Sequence, residues 1–137
     1  MTTYLDSSVV LRVVLREEEA LGLAKGHRYF TSELTHVETL RTLDRMRFRK
    51  GITDAELSAY RQTAIAMLHG IDRARITPEI LSRAADPFPT PLGTLDAIHL
   101  ATALLWNQAS EGPLSFATHD KELAMAARAC GIIVLGA

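Results

Sequence analysis

The stretch Leu114-Ser115-Phe116-Ala117-Thr118-His119-Asp120-Lys121-Glu122-Leu123-Ala124-Met125-Ala126-Ala127-Arg128-Ala129-Cys130-Gly131-Ile132-Ile133-Val134-Leu135 decides the fold class. Two short apolar runs, residues 114–117 and 132–135, enclose a helical pattern at 121–129 that a glycine closes. Working outward toward the amino terminus, the same alternation recurs. Strand-like runs fall at 3–5, 28–31 and 71–76, and helical patterns at 8–16, 18–25, 33–49, 54–68, 78–85 and 95–106. Strands that alternate with helices join through right-handed crossovers, which makes the sheet mainly parallel and covers both its faces. The expected class is α/β, with a central, mainly parallel five-stranded sheet sandwiched by helices.

The chain has 137 residues, 47% of them hydrophobic, with neither an internal repeat nor a low-complexity linker. That predicts one domain over residues 1–137 with one core, burying roughly two-thirds of the unfolded surface. The proline-rich piece at 87–91 reads as an ordered loop. A single cysteine, Cys130, cannot form an internal disulfide, so a cytoplasmic location is expected. No apolar run approaches the ~20 residues needed to span a bilayer, and the first residues lack the pattern of an export signal. The formal net charge of -1 leaves no overall basic field for nucleic acid, so any such contact has to be local.

Open parallel sheets bind ligands beyond the carboxyl ends of their strands, which directs attention to acidic residues there. Asp6, in Tyr4-Leu5-Asp6-Ser7-Ser8, stands where the first strand gives way to a helix; capping by Asp6 or by a serine is the competing explanation. Glu38 lies one turn after Leu34, about 40° from it around the helix, and borders the apolar face. An ion pair to Arg41 at i, i+3 competes with a functional role. Asp96 is the sharpest signal, because Leu95-Asp96-Ala97-Ile98-His99-Leu100-Ala101-Thr102-Ala103-Leu104-Leu105-Trp106 is apolar nearly all round and must be buried. The helix dipole favours a carboxylate in its first turn, yet burial of an unpartnered charge is expensive enough to require a cation or strong donors nearby. Asp120 again sits between a strand and a helix, where it or Thr118 could cap.

Three of these four positions are strand-to-helix transitions or helix starts that such a fold gathers at one sheet edge. Converging carboxylates repel one another and take up protons unless a divalent cation offsets their charge. Hard oxygen donors select Mg²⁺ or Mn²⁺ over zinc, which prefers His and Cys. Such a site suits phosphodiester hydrolysis by metal-activated water, with no protein nucleophile.

Four segments carry a resemblance that runs nearly end to end: Tyr4-Leu5-Asp6-Ser7-Ser8, Ser32-Glu33-Leu34-Thr35-His36-Val37-Glu38-Thr39-Leu40-Arg41, Leu95-Asp96-Ala97-Ile98-His99-Leu100-Ala101-Thr102-Ala103, and Ala117-Thr118-His119-Asp120. They resemble the PIN-domain ribonucleases, and among them the VapC toxins of bacterial toxin–antitoxin pairs; the third segment is the most specific. The resemblance implies a PIN fold, metal bound by Asp6, Glu38, Asp96 and Asp120, and endonucleolytic cleavage of RNA. It further implies that Ser7 and Thr118 assist through their hydroxyls, that Arg41 flanks the acidic pocket, and that a VapB-like antitoxin blocks it. His119 stands where many relatives carry a small residue. A free-standing toxin is expected rather than a module of a larger enzyme.

Other features bear on function. Arg41, Arg45, Arg47, Arg49 and Lys50 concentrate positive charge toward one helix end, where they could grip RNA phosphates or form a solvated face. His99, on an apolar helix, reads as a hydrogen-bonded core histidine. The apolar stretch 97–106 is mostly core, with part of it a candidate dimer face, and a homodimer is the expected assembly. Two rivals remain: a non-catalytic module in which the cluster holds a stabilising ion, and a phosphatase or receiver. Against the latter, Asp6-Ser7-Ser8 lacks a second aspartate two residues on, and 132–137 lacks a lysine.

Overall fold

The computed structural model describes residues 1–110 and 112–137. Five strands, β1 (Thr2–Leu5), β2 (Arg28–Ser32), β3 (Asp72–Ala74), β4 (Leu114–Ala117) and β5 (Ile133–Leu135), form one sheet in the order β3-β2-β1-β4-β5. Every pairing is parallel, with Tyr4 opposite Phe30 on one side and Phe116 on the other. Between the strands run α1 (Ser7–Val14), α2 (Glu33–Arg49), α3 (Asp54–His69), α4 (Pro78–Ala85), α5 (Thr94–Ala109) and α6 (Lys121–Ala129). The expected α/β class and five-stranded parallel sheet are what the chain adopts.

The single core expected from length is divided by the sheet into two apolar layers. Tyr4, Phe30 and Phe116 pack with Leu100, Leu104 and Leu123 of α5 and α6. Leu5 and Ala117, the next residues along β1 and β4, pack instead with Val9, Val10, Leu43 and Leu68 of α1, α2 and α3. This is the two-residue period of a strand buried on both faces, and it explains why the central strands read as continuous apolar runs. The Tyr4 ring stacks on Phe116, with centroids 5.2 Å apart, and meets the edge of Phe30 at 5.1 Å. The apolar stretch of α5 also belongs to this layer: Leu100, Ala103 and Leu104 are buried, and Trp106 stacks on Phe30 at 4.3 Å.

Two expectations are corrected. No helix forms at 18–25; Arg16 adopts a positive φ of 54° after α1, and Gly22 weakens any helix beyond it. Leu21 and Leu23 both pack on the same apolar layer. Residues two apart lie about 200° apart on a helix but share one side of an extended chain, so burial of both favours the extended form. The strand expected at 71–76 contracts to Asp72–Ala74 at the sheet edge, with Ile71 turned into the core.

Candidate active site

The strand order places a topological switch between β1 and β4: from β1 the chain winds through β2 to β3, then returns to build β4 and β5 on the other side. The crevice beyond the carboxyl ends of β1 and β4 is where such sheets bind ligands. The Asp6 N–H donates to the Ala117 carbonyl at 3.1 Å, keeping the two strand ends together.

Asp6 is buried and caps α1. Its Oδ1 accepts the Ser8 N–H at 2.7 Å, the Val9 N–H at 3.4 Å and the Ser8 hydroxyl at 2.5 Å, while Oδ2 accepts the Thr118 hydroxyl at 2.6 Å. Thr118, wholly buried, also accepts the Asp120 N–H at 3.0 Å. Ser8 Oγ accepts the His119 N–H at 2.9 Å, so the turn carrying Asp120 is fastened to the turn carrying Asp6. Asp120 itself is exposed and caps α6 through Oδ1, which accepts from Glu122 at 2.9 Å and Leu123 at 3.1 Å. Capping, the competing explanation for Asp6 and Asp120, is therefore real, and it engages one oxygen of each carboxylate.

Asp96 has no such occupation. The N-cap of α5 is Gly93, with no side-chain capping hydrogen bond. Burial pushes the Asp96 carboxyl up to about 6, with the negative charges of Asp120 and Asp6 adding to the shift and Glu38 contributing less; His99 opposes it. The three carboxylates that raise Asp96 come from three other elements, so the four expected residues share one electrostatic neighbourhood.

Glu38 reaches this region from the second turn of α2. It does not pair with Arg41, which bonds to Asp44 at 3.1 Å; instead its Oε1 makes a very short hydrogen bond with His99 Nε2. The other ring nitrogen of His99 lies 2.6 Å from the Tyr4 hydroxyl. Burial and the charges of Asp6 and Glu38 hold the Tyr4 phenol well above its ordinary pKa. The reading of His99 as a hydrogen-bonded core histidine is correct, but its link to Glu38 was not visible in one dimension. Ser8 was likewise missed, since Ser7 and Ser8 differ only in which way the helix turns them. Ser8 holds Asp6, whereas Ser7 lines a groove of about 250 Å³ beside Glu38, Leu34, Val37, Arg41 and Arg45. A wider cleft of about 530 Å³, lined by Glu33, His36, His69, Arg73 and Arg75, opens by β3 and does not include the four carboxylates.

The donor set is all oxygen and anionic, and the charges of Asp120 and Asp6 add to the burial that raises Asp96, so the chemistry of the residues fits a hard divalent cation such as Mg²⁺ or Mn²⁺. Among the described residues no three His, Cys, Asp or Glu side chains are gathered into a ready metal-binding group. Glu38 Oε1 is bonded to His99, and the two Asp6 oxygens to Ser8 and Thr118. Among the described residues no helix is long and apolar enough to cross a membrane.

Residues 3–129 match the PIN domain. The chain is 31% identical to Ribonuclease VapC46 of Mycobacterium tuberculosis, covering 96% of this chain and 95% of that protein. It is 34% identical to Ribonuclease VapC35 of the same organism, covering 96% and 94% respectively. Among solved structures it resembles PAE2754 from Pyrobaculum aerophilum, with a TM-score of 0.70, 19% identity and coverage of 98% of this chain and 89% of that one. It also resembles a chain of a toxin-antitoxin complex from Klebsiella pneumoniae, with a TM-score of 0.58, 18% identity and coverage of 89% and 90%.

Proposed function

The chain belongs to the PIN-domain family, and within it to the VapC-type proteins, and from that premise we propose that it is an endoribonuclease dependent on Mg²⁺ or Mn²⁺. The observation that carries the reading is Asp96: a half-buried carboxylate at a helix start, unused as a cap, with its pKa raised by burial and by Asp120, Asp6 and Glu38. A carboxylate kept in that position without a structural partner is explained by a ligand of opposite charge. When bound, a Mg²⁺ or Mn²⁺ ion held by Asp6, Glu38, Asp96 and Asp120 supplies Lewis-acid polarisation of the phosphoryl group and lowers the pKa of attacking water.

The chain's own residues do the positioning. Ser8 and Thr118 fix both oxygens of Asp6, and Thr118 ties the Asp120 turn to them, so those carboxylates keep their spacing without reorganising during reaction. Arg41 and Arg45 lie along the groove beside Glu38, where they can grip RNA phosphates on one side of the scissile bond. Leu34 and Val37 form an apolar wall there, against which an unstacked base can rest.

We extend the reading to the toxin of a toxin–antitoxin pair, with a VapB-like antitoxin as partner and a homodimer as assembly. The VapC-type relatives support the toxin, and the fold shared with a chain of a toxin-antitoxin complex is consistent with a protein partner. One observation favours a rival, a non-catalytic module: Asp6 and Asp120 both have structural duties as caps.

The test compares RNA cleavage by the wild-type protein and Asp96→Asn, with Mg²⁺ or Mn²⁺ and then with EDTA. Cleavage by the wild type alone, abolished by chelation and reduced at least ~100-fold in the variant, is the expected result for loss of one positioned charge. A folded wild type that cuts neither tRNA, rRNA nor single-stranded RNA under any metal would put the binding module ahead.

A further inference from the structure

A Glu side chain on a helix facing a groove has three rotatable bonds and swings among rotamers unless something holds it. Glu38 is held. Its Oε1 meets Nε2 of His99, which is 1% exposed, and His99 is held in turn at Nδ1 by the hydroxyl of Tyr4, which is wholly buried. The three groups come from α2, α5 and β1, and they form a line from the sheet's interior to the carboxylate pocket.

Donor accounting orders the line. The Tyr4 hydroxyl has one proton to donate. Donated to His99 Nδ1 at 2.6 Å, that proton makes Nδ1 an acceptor, which leaves the ring proton on Nε2 to be donated to Glu38. Of the two neutral tautomers, this is the one that gives an ionised Glu38 a donor and the Tyr4 hydroxyl an acceptor. One Glu38 oxygen is thereby fixed from behind while the side chain lines the groove with Arg41 and Arg45.

We propose that His99, oriented by Tyr4, is the positioning residue for Glu38 in RNA cleavage. This rests on the ribonuclease reading, and the experiment separates the two. His99 touches neither RNA nor the reacting atoms; it acts by keeping one carboxylate at a set place among the four, as hydrogen bonds to metal-ligating groups do elsewhere.

The measurements use the full chain. His99→Leu removes the donor; His99→Gln restores an amide N–H near the position of Nε2; Tyr4→Phe deletes the hydroxyl and keeps the ring. With Mn²⁺ and single-stranded RNA, His99→Leu is expected to lower kcat by roughly 10–100-fold while KM changes by about twofold or less, and His99→Gln to recover most of the loss. In a Glu38→Gln background, His99→Leu is expected to add no further loss, because its effect runs through the carboxylate. Calorimetry of Mn²⁺ binding to the RNA-free protein gives a readout apart from activity: His99→Leu weakens binding about 10–100-fold and His99→Gln much less.

Wild-type kcat and Mn²⁺ affinity in a folded His99→Leu would overturn the proposal, as would losses that multiply in the Glu38→Gln background. Should His99→Leu fail to fold, Tyr4→Phe decides: a severalfold loss of kcat at unchanged KM supports positioning, and wild-type values refute it. If the wild type cuts no RNA but binds Mn²⁺, the ribonuclease reading has failed while the affinity series still decides the role of His99. Absence of both activities overturns both.

Discussion

Asp96 shows how a single residue's environment sets its chemistry. Its carboxyl is pushed up to about 6 from an ordinary 3.8, so the folded state holds that proton more tightly than the unfolded chain does. A group with a raised folded pKa contributes stability that is present below the unfolded value and lost as pH rises through the folded one, here between 3.8 and about 6. In EDTA, wild-type melting temperature is therefore expected to carry a component that declines across that window, and Asp96→Asn to lack it. At pH 7 the variant should be more stable than wild type by about 1 kcal/mol, a figure already reduced for solvent screening at this half-exposed site. Thermal melts at pH 4 and pH 7 check this; a variant with the wild-type pH slope would show that Asp96 is not the group responsible. The residue was legible in sequence because a charge in an otherwise apolar helix has few innocent explanations. His99, one turn later, carried no such sign: its partners come from positions 4 and 38, and only the tertiary fold brings them to it.

Among the elements, α2 carries the groove proposed for RNA. Glu38, Arg41 and Arg45 follow one another at i, i+3 and i+7 along one side of the helix and line one groove with Leu34 and Val37. The net charge of -1 denies the protein a general attraction for RNA, so these two arginines should account for much of its salt dependence. Arg41 is paired to Asp44 on the surface at 3.1 Å, a bond weak enough to be exchanged for a phosphate. In a cleavage-deficient Asp96→Asn background, Arg45→Ala and Arg41→Ala are each expected to weaken binding of single-stranded RNA and to lower the slope of log K against log salt by about 0.7 for each phosphate no longer gripped. Fluorescence anisotropy across a salt series measures it, and slopes identical to the parent would move the RNA path away from α2. The helix itself was plain in the sequence over 33–49, and the structure gives it the same bounds, Glu33–Arg49.

The whole molecule is built so that strand-to-helix turns and the opening turns of helices at one sheet edge hold charge that two apolar layers could not. Four carboxylates around a crevice cost stability without a cation, and a cation that binds only the folded form returns it by mass action, about 2.7 kcal/mol at one hundred times its Kd. Mn²⁺ or Mg²⁺ is therefore expected to raise the wild-type melting temperature at pH 7, and to raise that of Asp96→Asn far less; equal shifts in a calorimetric scan would place the ion elsewhere. By itself, the sequence determined the α/β class, because strand and helix periods alternate along the chain and parallel crossovers follow from them. It also singled out Asp6, Asp96 and Asp120 as acidic residues at element starts, which a switch in strand order collects at one edge. The tertiary structure alone decided three things: the extended path of 18–25, where Leu21 and Leu23 needed the same core; the choice of Ser8 over Ser7 as the brace of Asp6; and the anchoring of Glu38 by His99 and Tyr4. Each depends on contacts between residues distant in the chain or on which way a helix turns a side chain, and local periodicity carries no record of either.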